Sequence, residues 1–255
     1  MNQKAAPKIL TVVPARFAST RFPGKIIAPV CGKPLVLHTY ERARRAKCVT
    51  DVVIAADDPR IADALRPFDA RVVMTRADHA SGTDRIAEVA ATSDADIIVN
   101  VQGDEPLIDP ATIDKTVEAL LNAPDAPMAT ARCLITDPAE LDNPNVVKVV
   151  CDARGRALYF SRCCIPYIRD ERDRARARLP RVHWVHIGLY VYRREFLLRF
   201  AKLPQTPLER LEKLEQLRAL ENGFPIMVAD TDYEGVGVDT PEDLERVRKL
   251  MEQGG

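Results

Sequence analysis

The sequence predicts an α/β fold, with a mostly parallel central sheet and helices on both faces. Three observations carry that expectation. Short apolar runs that read as buried strands alternate with helical patterns through the first half, in the order β-α-β-α-β. Nearly half of the 255 residues are hydrophobic and few are aromatic, as in ordinary globular α/β proteins. The length suffices for one sizeable domain, and no internal repeat or low-complexity linker divides it.

The first apolar run covers residues 9–14. Residues 33–46 carry Leu35, Val36, Tyr40 and Ala43 at helical spacing and end in basic residues, which suit a helix C-terminus. Strands are expected over 51–56 and 71–75, with helices over 59–65 and 82–92. Residues 96–102 (DIIVNVQ) form the clearest strand, and a helix over 110–122 follows. The second half is less regular. Residues 126–135, 146–152, 157–160, 186–192 and 226–229 read as strands. The charge-dense stretch 169–181 reads as a surface loop or exposed helix. Residues 207–222 read as one amphipathic helix, stopped by Gly223 with Pro225 beyond. A final helix over 241–252 is opened by Thr240 as cap and Pro241 at its first position.

Lys plus Arg and Asp plus Glu number 37 each, so the formal net charge is zero. That excludes a global basic field for nucleic acid and leaves anion binding to local clusters. No apolar run approaches the roughly 18 residues of a spanning helix. The polar start followed by a short apolar run does not resemble a secretory signal, so a cytoplasmic protein without membrane partners is expected. The six cysteines (Cys31, Cys48, Cys133, Cys151, Cys163 and Cys164) form no CxxC pair and read as reduced thiols.

Four segments carry chemistry. Residues 14–25 (PARFASTRFPGK) follow the first strand at its C-terminal end, where open parallel sheets bind ligands. Arg16, Arg21 and Lys25 fall within ten residues there, with small residues between them, and suit phosphate oxygens; a solvated basic loop is the alternative. The segment is not a Walker motif. In residues 99–106 (VNVQGDEP) a buried strand ends in Gly103 and an acid pair. A carboxylate such as Asp104 at that edge can hold a hard cation beside a triphosphate, or simply end a turn. In residues 235–243 (GVGVDTPED), Asp239 precedes a helix start; it serves a metal only if the fold brings it near Asp104. Residues 76–85 (RADHASGTDR) either read a base edge or form a capped helix entry with Ser81 or Thr83 as cap.

These segments, together with ALYFSRxxIP at 157–166, HIGLYVY at 186–192, LExLEQLRxLENG at 211–223 and GVDTPEDL at 237–244, resemble the 3-deoxy-manno-octulosonate cytidylyltransferase family. They occur in family order over nearly the whole chain. The resemblance implies a Rossmann-like nucleotide-diphospho-sugar transferase fold in a single nucleotidyltransferase domain. Its nucleotide-binding half would span about 8–125, and its sugar-binding half, which could also carry a dimer interface, about 126–250. It implies transfer of CMP from CTP to 3-deoxy-D-manno-octulosonate (Kdo) for lipopolysaccharide precursor synthesis, with Mg2+ as cofactor and a homodimer as the assembly. The catalytic residues it implies are Arg16, Lys25, Asp104 and Asp239, with Asp104 and Asp239 as metal ligands. The nucleotide would meet Pro14, Ala15, Arg16, Arg21, Lys25, Arg76, Ser81, Gly82, Arg85 and Gln102. The sugar would meet Gln102, Arg162, His186, Tyr190, Glu212 and Gln216. Departures from the pattern are Phe17, the Cys163-Cys164 pair and His183-Trp184-Val185 ahead of the HIGLY strand. Two rival readings use the same fold: a different acidic sugar (8-amino-Kdo or sialic acid) as acceptor, and a non-catalytic nucleotide- or sugar-binding protein.

Overall fold

Strand β1 (Ile9–Ala15) is apolar on both faces because both are covered. The structure is a computed structural model that describes residues 6–19, 21–169 and 182–254. A small hairpin, β2 (Pro29–Val30) and β3 (Lys33–Pro34), leads into α1 (Leu35–Ala43). Then come β4 (Asp51–Ala56), α2 (Pro59–Leu65), β5 (Val72–Met74), α3 (Gly82–Ala91), β6 (Ile97–Asn100) and α4 (Pro110–Leu121). The second half contains β7 (Met128–Leu134), β8 (Lys148–Cys151), β9 (Ala157–Ser161), β10 (Trp184–Arg193), α5 (Arg194–Phe200), α6 (Pro207–Glu212), α7 (Leu217–Glu221), β11 (Ile226–Thr231) and α8 (Pro241–Gly254).

The main sheet runs β11-β7-β10-β6-β1-β4-β5, and β8 and β9 branch from β10. β1 is parallel to β4 and β6, β4 to β5, and β11 to β7. Among the described strands of this sheet, β10, inserted antiparallel between β6 and β7, and β9, antiparallel to β8, run against that direction. Along β1 the side chains alternate with the two-residue strand period. Ile9 and Val13 pack with α1, α2 and α4, whereas Leu10 and Val12 pack with α3, α5 and α7. The registers Val12↔Asn100 and Ala15↔Ala56 bring the C-terminal ends of β6, β1 and β4 to one edge.

The helix starts follow local chemistry. Asp58 and Asp109 cap α2 and α4, each followed by Pro at the first position. Ser81 caps α3 in a reciprocal box with Asp84. Thr240 and Asp243 exchange hydrogen bonds at the start of α8.

Two expectations change. Residues 207–222 are not one helix: Lys213 sits in the left-handed region (φ 54°), which separates α6 from α7. The halves fold back on each other because buried Glu209 accepts from the Arg218 guanidinium, with Nε to Oε2 at 2.8 Å. Leu208 and Leu211, which complete the helical apolar pattern in sequence, are exposed. Helix α5, absent from the expected elements, buries Phe196, Leu197 and Phe200. Of the charged stretch 169–181, all but Arg169 lies outside the described residues.

Candidate active site

The shared strand edge carries adjoining cavities. The smaller, of about 280 Å³, is lined by Pro14, Arg16, Lys25, Ser81, Gly82, Arg85, Gln102, Asp104 and Asp239, among others. The larger, of about 520 Å³, is lined by Thr83, Asn100, Glu105, His186, Tyr190, Glu215 and Gln216, among others. Gly82 and Gln102 line both.

Lys25 stands at the centre of the smaller cavity. Its Nζ donates to Asp104 Oδ2 at 2.7 Å, to the Val238 carbonyl at 2.7 Å and to Asp239 Oδ1 at 3.0 Å. Burial alone would lower the Lys25 pKa, but the two carboxylates outweigh it and hold it above the usual lysine value. Burial likewise works to raise the Asp239 pKa; Lys25, and Arg21 at 2.9 Å, outweigh it and hold the carboxyl below the usual range. Two carboxylates far apart in sequence therefore converge on one cationic point. Among the described residues no group of three or more His, Cys, Asp or Glu side chains is placed to hold a metal ion. A cation held between Asp104 and Asp239 would complete its shell from a ligand, the arrangement magnesium favours.

Gly103 makes the approach of these segments possible. A Cβ there would lie 2.7 Å from the Pro14 carbonyl oxygen and 2.9 Å from Ile26 Cδ1. Pro14 belongs to β1 and cannot retreat without disturbing its pairing. Gly103→Ala is therefore expected to lose about 1–3 kcal/mol of stability by urea unfolding, as overpacked sites do. An unchanged midpoint would show that the contact relaxes freely. The basic loop is fixed from the other side by Asp57, whose carboxylate accepts from Phe17 N at 2.9 Å and from Arg85 Nη2 at 3.1 Å. Arg60 stacks over the Phe17 ring at 3.6 Å.

The larger cavity is polar in a different way. Tyr190 Oη donates to Gln216 Oε1 at 3.1 Å, and buried Gln216 Nε2 has no partner within the described residues. His186 packs edge-on to Phe160 and tilted against Tyr190. Its Nε2 lies 2.9 Å from Thr130 Oγ1, whose single proton has the Leu189 carbonyl at 2.7 Å and the Ile187 carbonyl at 3.1 Å to donate to. Nε2 is thereby assigned as the donor, which leaves Nδ1 as an acceptor. Burial pushes the Glu105 pKa up to about 7 and that of His186 down to about 3.

The His186 shift has a sign that can be tested. Folded His186 stays neutral, while the unfolded chain takes up a proton as pH falls below the ordinary value of 6.5. Its contribution is fully present above pH 6.5 and is lost as pH falls toward 3. Between pH 7 and 5.5 the wild type should lose about 1 kcal/mol more than His186→Gln in urea unfolding. Equal losses would show that His186 titrates normally.

A cytidylyltransferase family model matches residues 10–231. A 3-deoxy-manno-octulosonate cytidylyltransferase of Solibacter usitatus is 58% identical over 244 residues, covering 96% of this chain and 94% of that protein. The chain belongs to the 3-deoxy-manno-octulosonate cytidylyltransferase family. The Geobacter sulfurreducens member is 55% identical over 95% of this chain and 99% of its own. A solved structure of CMP:2-keto-3-deoxy-manno-octonic acid synthetase complexed with CTP matches with a TM-score of 0.89 at 42% identity, covering 96% of this chain and 99% of that one.

In this cytidylyltransferase the residues that sequence motifs single out fall into three places. Pro14, Arg16, Lys25, Ser81, Gly82, Arg85, Gln102, Asp104 and Asp239 line the smaller cavity. Ala15 is buried in β1 beside it, and Arg21 reaches it through Asp239. Gln102, His186, Tyr190 and Gln216 line the larger cavity. Arg76, Arg162 and Glu212 line neither. Arg76 is exposed, its Nε 3.7 Å from Asp78 and 3.8 Å from Glu88. Arg162 donates to the Glu212 and Pro144 carbonyls at 2.7 Å, and the Glu212 carboxylate accepts from Ser161 Oγ and Arg162 N. His183 is also outside the cavities; it is buried, with Nε2 3.0 Å from the Pro166 carbonyl. Sequence reasoning gave no role to Asn100 or Glu215, and offered Thr83 only as a helix cap in a nucleotide segment and Glu105 only as half of an acid pair; all four line the larger cavity. Glu105 and Glu215 lay inside quoted motifs, so their acid character beside a ligand edge was the available signal.

Proposed function

We propose that this protein transfers CMP from CTP to Kdo, giving CMP-Kdo and pyrophosphate. The observation that carries the reading is the convergence of Lys25, Asp104 and Asp239 where a cationic cavity meets a hydroxyl- and acid-lined one. CTP occupies the smaller cavity, with Arg16 and Lys25 against its phosphates. The acceptor occupies the larger, where Gln216 Nε2, His186 Nδ1 and Gln102 meet its oxygens. The anomeric hydroxyl oxygen attacks the α-phosphorus in line and its proton passes to solvent; the O–Pα bond forms as the bond from Pα to the bridging oxygen breaks, and that bond's electron pair leaves with pyrophosphate. Positioning and charge neutralisation dominate such a transfer. Lys25 and Arg16 take up the charge that develops on the leaving pyrophosphate. Mg2+ held by Asp104 and Asp239 supplies Lewis-acid polarisation of the phosphate when bound. The same reading makes the protein a cytoplasmic homodimer that serves lipopolysaccharide precursor synthesis. Among the described residues no helix is long and apolar enough to cross a membrane.

Pyrophosphate release from CTP and Mg2+ tests the proposal, with Kdo, 8-amino-Kdo and N-acetylneuraminate offered side by side. Release with Kdo alone is the expected result. Release with another acceptor only would move the function to a sister enzyme and retain the phosphate assignments. No release with any of them would overturn the catalytic reading.

A further inference from the structure

The loop between β11 and α8 carries Asp239, and its shape depends on one side chain outside the lining of both cavities. Tyr233 Oη donates to Glu105 Oε2 at 2.6 Å and accepts from Val236 N at 3.1 Å. Its own N–H donates to Thr231 Oγ1 at 3.2 Å, which anchors the loop to the end of β11. Two residues beyond Val236, the Val238 amide donates to the Asp104 carbonyl at 2.9 Å, while the Val238 carbonyl accepts from Lys25. Gly237 passes over Glu105 so closely that a Cβ would sit 3.4 Å from Glu105 Oε1. One phenol oxygen thus joins the segment carrying Asp104 and Glu105 to the segment carrying Asp239.

We propose that Tyr233 is a positioning residue that locks the Asp239 loop against the Asp104 segment and so fixes the separation of the two carboxylates. The proposal rests on reading Asp104 and Asp239 as the divalent-cation site. A hydrogen bond to a part-buried carboxyl is costly to lose, and Phe at this position removes both bonds of the hydroxyl without changing the ring. The carboxylates and Lys25 remain in place chemically, but the loop that presents Asp239 is no longer fixed.

Mn2+ serves as a paramagnetic probe of the site. Its binding to wild type and Tyr233→Phe is followed by electron paramagnetic resonance in the presence of CTP. CTP binding in EDTA and thermal melting are measured alongside. The variant should bind Mn2+ about tenfold more weakly, the scale of one or two lost hydrogen bonds, with metal-free CTP affinity changed less than about twofold. Excess Mg2+ should then restore most of its turnover. Equal Mn2+ affinity in the two proteins would overturn the positioning role, whether or not the variant melts earlier, because a purely structural hydroxyl moves melting alone. A wild type that binds no Mn2+ with CTP would overturn the cation reading itself, a separately visible failure. Hydrogen exchange of the Val236 and Val238 amides in the wild type is a second test independent of the variant's folding. Slow exchange is expected without metal, and exchange at open-loop rates would sink the proposal.

Discussion

Asp104→Asn is expected to lower turnover with saturating CTP and Kdo by about two to four orders of magnitude, the range seen when a group that sets catalytic charge is lost. The substitution is nearly isosteric, and the Asp104 backbone remains held by Val238 N at 2.9 Å. The Asp104 side chain is a third exposed, so its amide meets water and the fold should be retained. What changes is charge. Lys25 would face one carboxylate in place of two, and any cation at this edge would lose half of its protein ligands. Steady-state pyrophosphate release with a parallel melting curve separates the effects. A near-normal rate would remove Asp104 from the catalytic machinery. A low rate with an intact melting temperature would leave charge as the only explanation.

Much of this site was legible because its parts are local. The basic loop after β1, the acid pair after β6 and the cap of α3 each lie within about a dozen residues, and each is announced by composition at the end of a strand or start of a helix. The pairing of Asp104 with Asp239 is not local. Residues alone left Asp239 as an ordinary helix start, and only the family resemblance brought it to Asp104; the contact itself depends on where β11 and α8 are placed. The long amphipathic pattern over 207–222 misled because periodicity counts apolar residues without knowing which face is covered. Leu208 and Leu211 are exposed, and the turn at Lys213 is set by the buried Glu209–Arg218 pair. Arg162 illustrates the same limit. A motif can place an arginine near an acceptor, but whether its guanidinium is free depends on carbonyls such as those of Glu212 and Pro144.

Lys25→Ala carries the second large effect, and its two consequences have opposite signs. Lys25 is mostly buried and spends all three of its N–H bonds on Asp104, Asp239 and the Val238 carbonyl. Removing it deprives the leaving pyrophosphate of a cation, so kcat/KM for CTP should fall by roughly two to three orders of magnitude. It also leaves two carboxylates facing each other with only the more exposed Arg21, on Asp239, as counter-charge, which lowers stability in the absence of ligand. The same vacancy removes a competitor for those oxygens. Added Mg2+ should therefore raise the melting temperature of Lys25→Ala by more than it raises that of the wild type, even as catalysis is lost, since a ligand stabilises in proportion to its affinity for the folded state. Lys25→Arg would not restore the site, because a planar fork cannot reproduce three bonds diverging from one ammonium. Unchanged rate and KM for CTP in Lys25→Ala would show that the lysine only neutralises the acid pair. A wild-type-like response to Mg2+ would show that Lys25 does not compete with a cation for those oxygens.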